Sequence, residues 1–262
     1  MKATRQAVIR YFSLNKLDMR FSGILLLMAT LMIAGSCKKD KEGSLTLHFL
    51  AQAEGNPLEM FKTLSSTGAH PLQFSHVSML ISDIQLLTTS GSEYLKDVAL
   101  VDMSFDDLTS ASDGFTIRID KVPANTYRGI SFGIGVPPEL NNDSPSDFPS
   151  SNPLSRTGYY WEAWNSYIFM KIEGRVDTIA PLDFETGFAY HTGHDSLYRM
   201  LEGEFPLAII DGQDTELSII FDYDEILEGV DIALDPQNHN PEDTIQIFKI
   251  VNNLQTAVTL FQ

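Results

Sequence analysis

The sequence predicts a mainly β fold, an antiparallel immunoglobulin-like β-sandwich closed by a C-terminal helix. Three observations carry this: apolar and polar residues alternate with a period of two along most of the chain, clusters of Gly, Pro, Asn, Asp and Ser break that alternation, and a helical period appears only near the end. The 262 residues are 43% hydrophobic and 20% charged, enough for a domain of this kind to close a core without disulfides. Cys37 is the sole cysteine, which excludes an intrachain disulfide and a cysteine-built metal site.

The N-terminus stands apart from the fold. Residues 24–34 (ILLLMATLMIA) are an apolar run too short for a membrane-spanning helix, and Arg5, Arg10, Lys16 and Arg20 precede it, so residues 1–36 read as a signal peptide. Met19 sits directly before Arg20 and is the alternative start, with residues 1–18 as an upstream extension. Ala34-Gly35-Ser36-Cys37 resembles the lipobox of bacterial lipoproteins, in which the cysteine is lipidated and becomes the new N-terminus. Residues 37–43 then form a lipidated cysteine and short charged tether, and residues 44–262 form the domain. The expected location is extracytoplasmic, anchored by lipid to a bacterial membrane, with the outer membrane favoured.

The charge fits an anchor made of lipid and not of basic residues. The whole chain carries a formal charge of -17, and the leader holds five of its basic groups against the single acid Asp18, so the mature chain is more acidic still. Such a field repels phosphate backbones and anionic headgroups, which excludes nucleic acid as a partner.

Strands follow in order. Leu45, Leu47 and Phe49 alternate with Ser44, Thr46 and His48, with a turn expected at Asn56-Pro57. Val77, Met79 and Ile81 open a second strand that continues through Ile84 and Leu86 to a turn at Ser90-Gly91-Ser92. Further strands are expected at residues 94–102, 115–119, 127–136, 167–173, 187–191, 205–210 and 216–222. Near the C-terminus Ile247, Ile250, Val251, Leu254, Val258 and Phe261 share one helical face, with Asp243 or Thr244 as N-cap. Residues 137–158 (PPELNNDSPSDFPSSNPLSRTG) have no apolar period and are expected to be a long loop bordering a site.

Enzymatic motifs fail their context tests, and no enzyme is expected. Gly129-Ile130-Ser131-Phe132-Gly133 matches G-x-S-x-G, yet it lies inside an alternating strand where a nucleophile elbow needs a strand-turn-helix. Gly133-Ile134-Gly135 lacks the third glycine of a dinucleotide fingerprint. Asp222-Tyr223-Asp224-Glu225 lacks EF-hand spacing and reads as a solvated acidic face, leaving calcium only as an adventitious ligand.

Six histidines remain, among them His191 and His194 three residues apart across a glycine turn. Two imidazoles at that spacing suit a borderline-soft cation, and a surface turn with two histidines is the plainer reading. Both tryptophans, Trp161 and Trp164, fall in the run Tyr159 to Tyr167. Large aromatics there pack on a sandwich core or border a ligand.

Asn152-Pro153-Leu154, the aromatic run Tyr160–Tyr167, the strand Ile168–Gly174 and Phe188-Ala189-Tyr190-His191-Thr192-Gly193 together resemble the MbnP-like domain family. Ser131–Val136 and Phe74–Leu86 are similar to that family's strand before the long loop and its early strand pair. The resemblance implies an extracytoplasmic copper-binding β-sandwich served by a di-haem peroxidase partner of the MauG type, which oxidises a tryptophan to kynurenine. It implies Trp164 as the modified position with Trp161 second, His191 as the family histidine, and His48 and His194 as additional ligands. Ser166 before Tyr167, and the W-E-A-W spacing, depart from the pattern. The other reading is a metal-free binding module that offers Tyr159, Tyr160, Trp161 and Trp164 to a glycan or a protein. Copper requires His191 to lie beside an indole or a second imidazole; the module requires an open aromatic groove with His191 apart from it.

Overall fold

In the computed structural model, residues 40–65, 70–179, 183–238 and 245–262 are described; the expected signal peptide, Cys37 and the expected N-cap residues Asp243 and Thr244 lie outside them. Strand β1 (Glu42–Ala53) sends Leu45, Leu47, Phe49, Ala51 and Ala53 into the core and turns Ser44, Thr46, His48 and Gln52 outward, as a period of two requires. The turn that follows is Glu54-Gly55, both at positive φ, while Asn56–Pro57 is β2 and pairs back on Gln52 and Ala53. The expected turn was therefore two residues late: Gly55 takes the left-handed conformation more readily than its neighbours, and Pro57 fits the strand edge.

Next come β3 (Leu72–Leu87), β4 (Ser92–Asp102), a short helix α1 (Leu108–Asp113), β5 (Phe115–Pro123) and β6 (Asn125–Ile134). The residues expected to be a long loop contain the short helix α2 (Pro138–Asn141) and the 3-10 turns Pro145–Asp147, Pro153–Ser155 and Thr157–Tyr159. Asn152 and Ser144 cap two of them through side-chain hydrogen bonds, which is why a Ser-, Asn- and Pro-rich stretch can be ordered without an apolar period. Then follow β7 (Tyr160–Trp161), β8 (Ser166–Val176), β9 (Thr186–Gly193), β10 (Arg199–Ile209), β11 (Asp214–Asp222), α3 (Tyr223–Ile226), β12 (Gln237–Asn238), α4 (Ile245–Ala257) and β13 (Val258–Phe261).

Two sheets result. One has the order β13-β11-β1-β2 with β5 also paired to β1; the other has the order β10-β6-β3-β8-β9-β12 with β4 paired to β3 and β7 to β8. Most pairs are antiparallel, and β1 lies parallel to β11 from Ser44 opposite Asp214 to Gln52 opposite Asp222. The sheets enclose an apolar core in which Phe74 meets Phe188 and Tyr223 edge-on at 5.8 and 5.4 Å. β3 serves two partners on one edge, β8 along its first half and β6 along its second, and Asp83 at positive φ sits at the register shift between Ser82 and Gln85 in the pairing with β6.

Gly129 and Gly133 are packing residues inside β6: a Cβ at Gly129 would strike the backbone of Gly203 and one at Gly133 the ring of Tyr198. Ser131 between them is buried, and among the described residues no histidine is hydrogen-bonded to it. Asp222 of the acidic run N-caps α3 by accepting from Asp224 N and Glu225 N. α4 buries Ile247, Ile250, Val251, Leu254 and Ala257, and it ends there. Val258 and Phe261, expected on the helical face, instead lie in β13 along β11, because the β-branched Val258-Thr259 pair finds an open strand edge.

On the outer face of the first sheet Ser44 and Thr46 donate to Asp214 at 2.6 and 2.8 Å, and Arg118 lies 2.8 Å from the same carboxylate. These hydrogen bonds, the one from Ser44 first, hold the Asp214 carboxyl below its ordinary value despite partial desolvation. Its stabilisation is therefore full above the unfolded-state pKa and is lost as pH falls through the lower folded value. We expect Asp214→Asn to flatten the acid limb of the urea-midpoint profile against pH. Phe74→Ala in the core should cost about 3–5 kcal/mol in the same denaturation assay.

Candidate metal centre

The local sequence explains the site's shape. Strand alternation in β9 sends Phe188 and Tyr190 inward, so His191 faces out beside Lys171, its register partner on β8. Glu173, two residues along β8 on the same face, places Oε1 at 2.7 Å from His191 Nε2. The imidazole is 12% exposed and the carboxylate 34%, a half-sheltered pair.

A tight hairpin brings the indoles over them. β7 and β8 pair Tyr160 with Tyr167 and Trp161 with Ser166, and Asn165 at positive φ closes the turn while Trp164 N donates to Trp161 O at 3.2 Å. The W-E-A-W spacing thus sets the two tryptophans at the ends of one turn, edge to face at 5.4 Å. Trp161 reaches His191, with ring centroids 6.5 Å apart and planes tilted by 35°. Its seat is Gly193: a Cβ there would come within 2.7 Å of the indole and 2.5 Å of Tyr167 O. Glycine is required by close approach, not by its own dihedral angles.

The surrounding loop is tied down by buried polar groups. Asn141, 4% exposed, accepts from Tyr167 N at 2.8 Å and donates to Asp195 Oδ1 at 2.8 Å and Ser166 Oγ at 3.1 Å. Tyr167 OH donates to Leu154 O at 3.0 Å. Lys171 lies beside the centre, where burial lowers its ammonium below the usual lysine value and Glu173 opposes that shift.

Of the residues expected at the site, the structure sets Trp161 against His191 and Trp164 against Trp161, while His48 and the ring of His194 have other neighbours. Trp164, the first-ranked tryptophan, touches Trp161 and is 43% exposed, so Trp161 is the indole at His191. His48 does face outward as its strand position implies, but on the other sheet, with the core between it and His191; its neighbours there are Thr116 and Glu216. His194 lies past the strand end at positive φ, and its Nδ1 accepts from Ser196 N at 3.3 Å as an N-cap. The alternation of β9 stops before it, and its Nδ1 is turned to Ser196. The sequence reading missed Glu173 and Gly193. Lys171 and Glu173 flanking the inward Ile172 were the available signal; the pairing of Glu173 with His191 needed the register of β9.

Among the described residues no three His, Cys, Asp or Glu side chains lie close enough together to hold a metal ion. His191 and Glu173 offer an imidazole and a carboxylate, while the indole N–H is a donor with no lone pair to give. The unmodified residues fit copper incompletely: among the described residues His191 and Glu173 give two adjacent side-chain donors and no third of these types is close enough to complete a set.

Comparison with known proteins adds family and fold. The MbnP family model matches residues 42–244. The solved structure of MbnP from Methylosinus trichosporium is similar with a TM-score of 0.58 at 12% identity, covering 84% of this chain and 98% of that one. No curated protein matches the chain.

We expect Gly193→Ala to unseat the indole. Overpacking of this kind costs about 1–3 kcal/mol, and the near-ultraviolet circular dichroism of the tryptophans should change while the far-ultraviolet signal is kept.

Proposed function

The chain belongs to the MbnP family, and from that premise we propose that it is a lipid-anchored, extracytoplasmic, non-enzymatic protein that captures copper or hands it to a partner. The single observation that supports the copper reading best is the placement of Trp161 over His191 on the seat left by Gly193. In this reading a di-haem peroxidase of the MauG type, consuming two equivalents of hydrogen peroxide, would cleave the C2–C3 bond of the Trp161 pyrrole ring, and water would then hydrolyse the resulting N-formyl group to leave kynurenine and formic acid. The aryl amine so exposed carries the lone pair that an indole lacks. His191 then contributes imidazole and Glu173 a carboxylate, or Glu173 stays on Nε2 as the hydrogen-bond partner that orients the ring. Cys37 carries the lipid, and the acidic surface raises the local cation concentration within about 8 Å at physiological salt.

A second reading has its own observation. Trp164 is 43% exposed beside the half-buried Trp161, which suits a metal-free module presenting aromatics to a glycan or a protein. Two measurements separate them. Protein from its native host should show, by intact mass, the replacement of one carbon by one oxygen and should carry copper; protein made without the haem partner should lack the mass change. His191→Ala should abolish high-affinity copper uptake with the fold unchanged. Uptake equal to that of the parent chain would retire His191 as a ligand, whereas protein from its native host that carries neither copper nor the mass change would favour the aromatic module.

A further inference from the structure

β7 holds the indole of Trp161 through only two residue pairs, and a glycine precedes it by three positions. Glycine-containing chain is expensive in entropy to order, so something else must hold this approach. The outer face of the sheet supplies it. Lys171 Nζ donates to Gly158 O at 2.7 Å and stands 4.4 Å from the ring centre of Tyr159. The Tyr159 hydroxyl is 2.7 Å from Ser78 Oγ, which is wholly buried and 2.8 Å from His76 Nε2. His76 Nδ1 is in turn 2.8 Å from Ser104 Oγ. Register makes this one row: Ser78 lies opposite Lys171, and Lys171 opposite His191.

We propose that Lys171 and Tyr159 form a strap that positions Trp161 against His191. Lys171 is a positioning residue: its ammonium grips a main-chain carbonyl and an aromatic face of the approach segment, while its backbone sits in register with the histidine that the segment must meet. The Tyr159 hydroxyl fixes the same segment to β3, so the approach is tied to two neighbouring strands at once. This rests on the centre lying at Trp161 and His191, and not on the metal assigned to it.

The test uses the mature chain in a Trp164→Phe background, where Trp161 is the remaining tryptophan. Lys171→Met and Tyr159→Phe should each shift Trp161 emission to longer wavelength, raise acrylamide quenching, and raise amide exchange at residues 157–161 about tenfold, as loss of one hydrogen bond allows. Lys171→Arg, which keeps a cationic donor, should restore the parent signals. The urea midpoint of the whole domain should move little. Unchanged emission and exchange in the two variants overturns the strap, and Tyr159→Phe alone carries the test if Lys171→Met does not fold. Copper titration with Trp164 intact separates the two ideas. A chain that takes up no copper while the strap variants release Trp161 overturns the metal and upholds the strap; uptake together with unmoved Trp161 signals overturns the strap alone.

Discussion

The register across β3, β8 and β9 is the constraint on which the rest of the structure depends. With Ser78 opposite Lys171 and Lys171 opposite His191, every polar group of the centre faces out while Val77, Ile172 and Tyr190 face the core. A slip of one residue on β9 would bury His191 and expose Tyr190 and Phe188, at the cost of a buried imidazole and two exposed aromatic rings. The core thus specifies the centre indirectly: Phe188 against Phe74, and Tyr190 sealed within the sandwich, fix where His191 must stand.

The second requirement is an ordered roof. Residues 137–159 pack Leu140, Phe148 and Leu154 on the core, and they are held besides by capping turns, by Asn141 and by the hydroxyl of Tyr167. Polar bonds of this kind contribute about 1 kcal/mol each, and losing a buried partner costs more than that, so the loop is ordered by many small terms that fail together. The division of labour follows: the sheet supplies the ionisable groups, and the loop brings the aromatic ring to them. The indole lies across one face of β9, over the imidazole of His191 and the bare backbone of Gly193 two residues along the same strand.

Much of the scaffold was legible from residue pattern. The strands around Leu45, Val77, Tyr127, Ile168 and Leu217 were visible because alternation is a direct trace of one wet and one dry face. The C-terminal helix was visible for the same reason, but its end was not: Val258 and Phe261 continue the helical spacing, and only the free edge of β11 shows that they pair as strand. The turns of the long loop were hidden because caps act residue by residue and leave no period. At the centre, His191 and a tryptophan were nameable from their surroundings in sequence. Which tryptophan, and the part played by Glu173, depended on cross-strand geometry.

The sequence by itself determined the class of fold, the acidic surface, the absence of a cysteine framework and the two short stretches in which the centre lies, since composition and periodicity are local properties. Tertiary structure decided which side chains lie next to His191: Trp161 and Glu173 do, Trp164 packs on Trp161, His48 is on the other sheet and His194 caps a turn. Contacts between strands are set by register and by what the core excludes, and neither quantity belongs to any single stretch of chain.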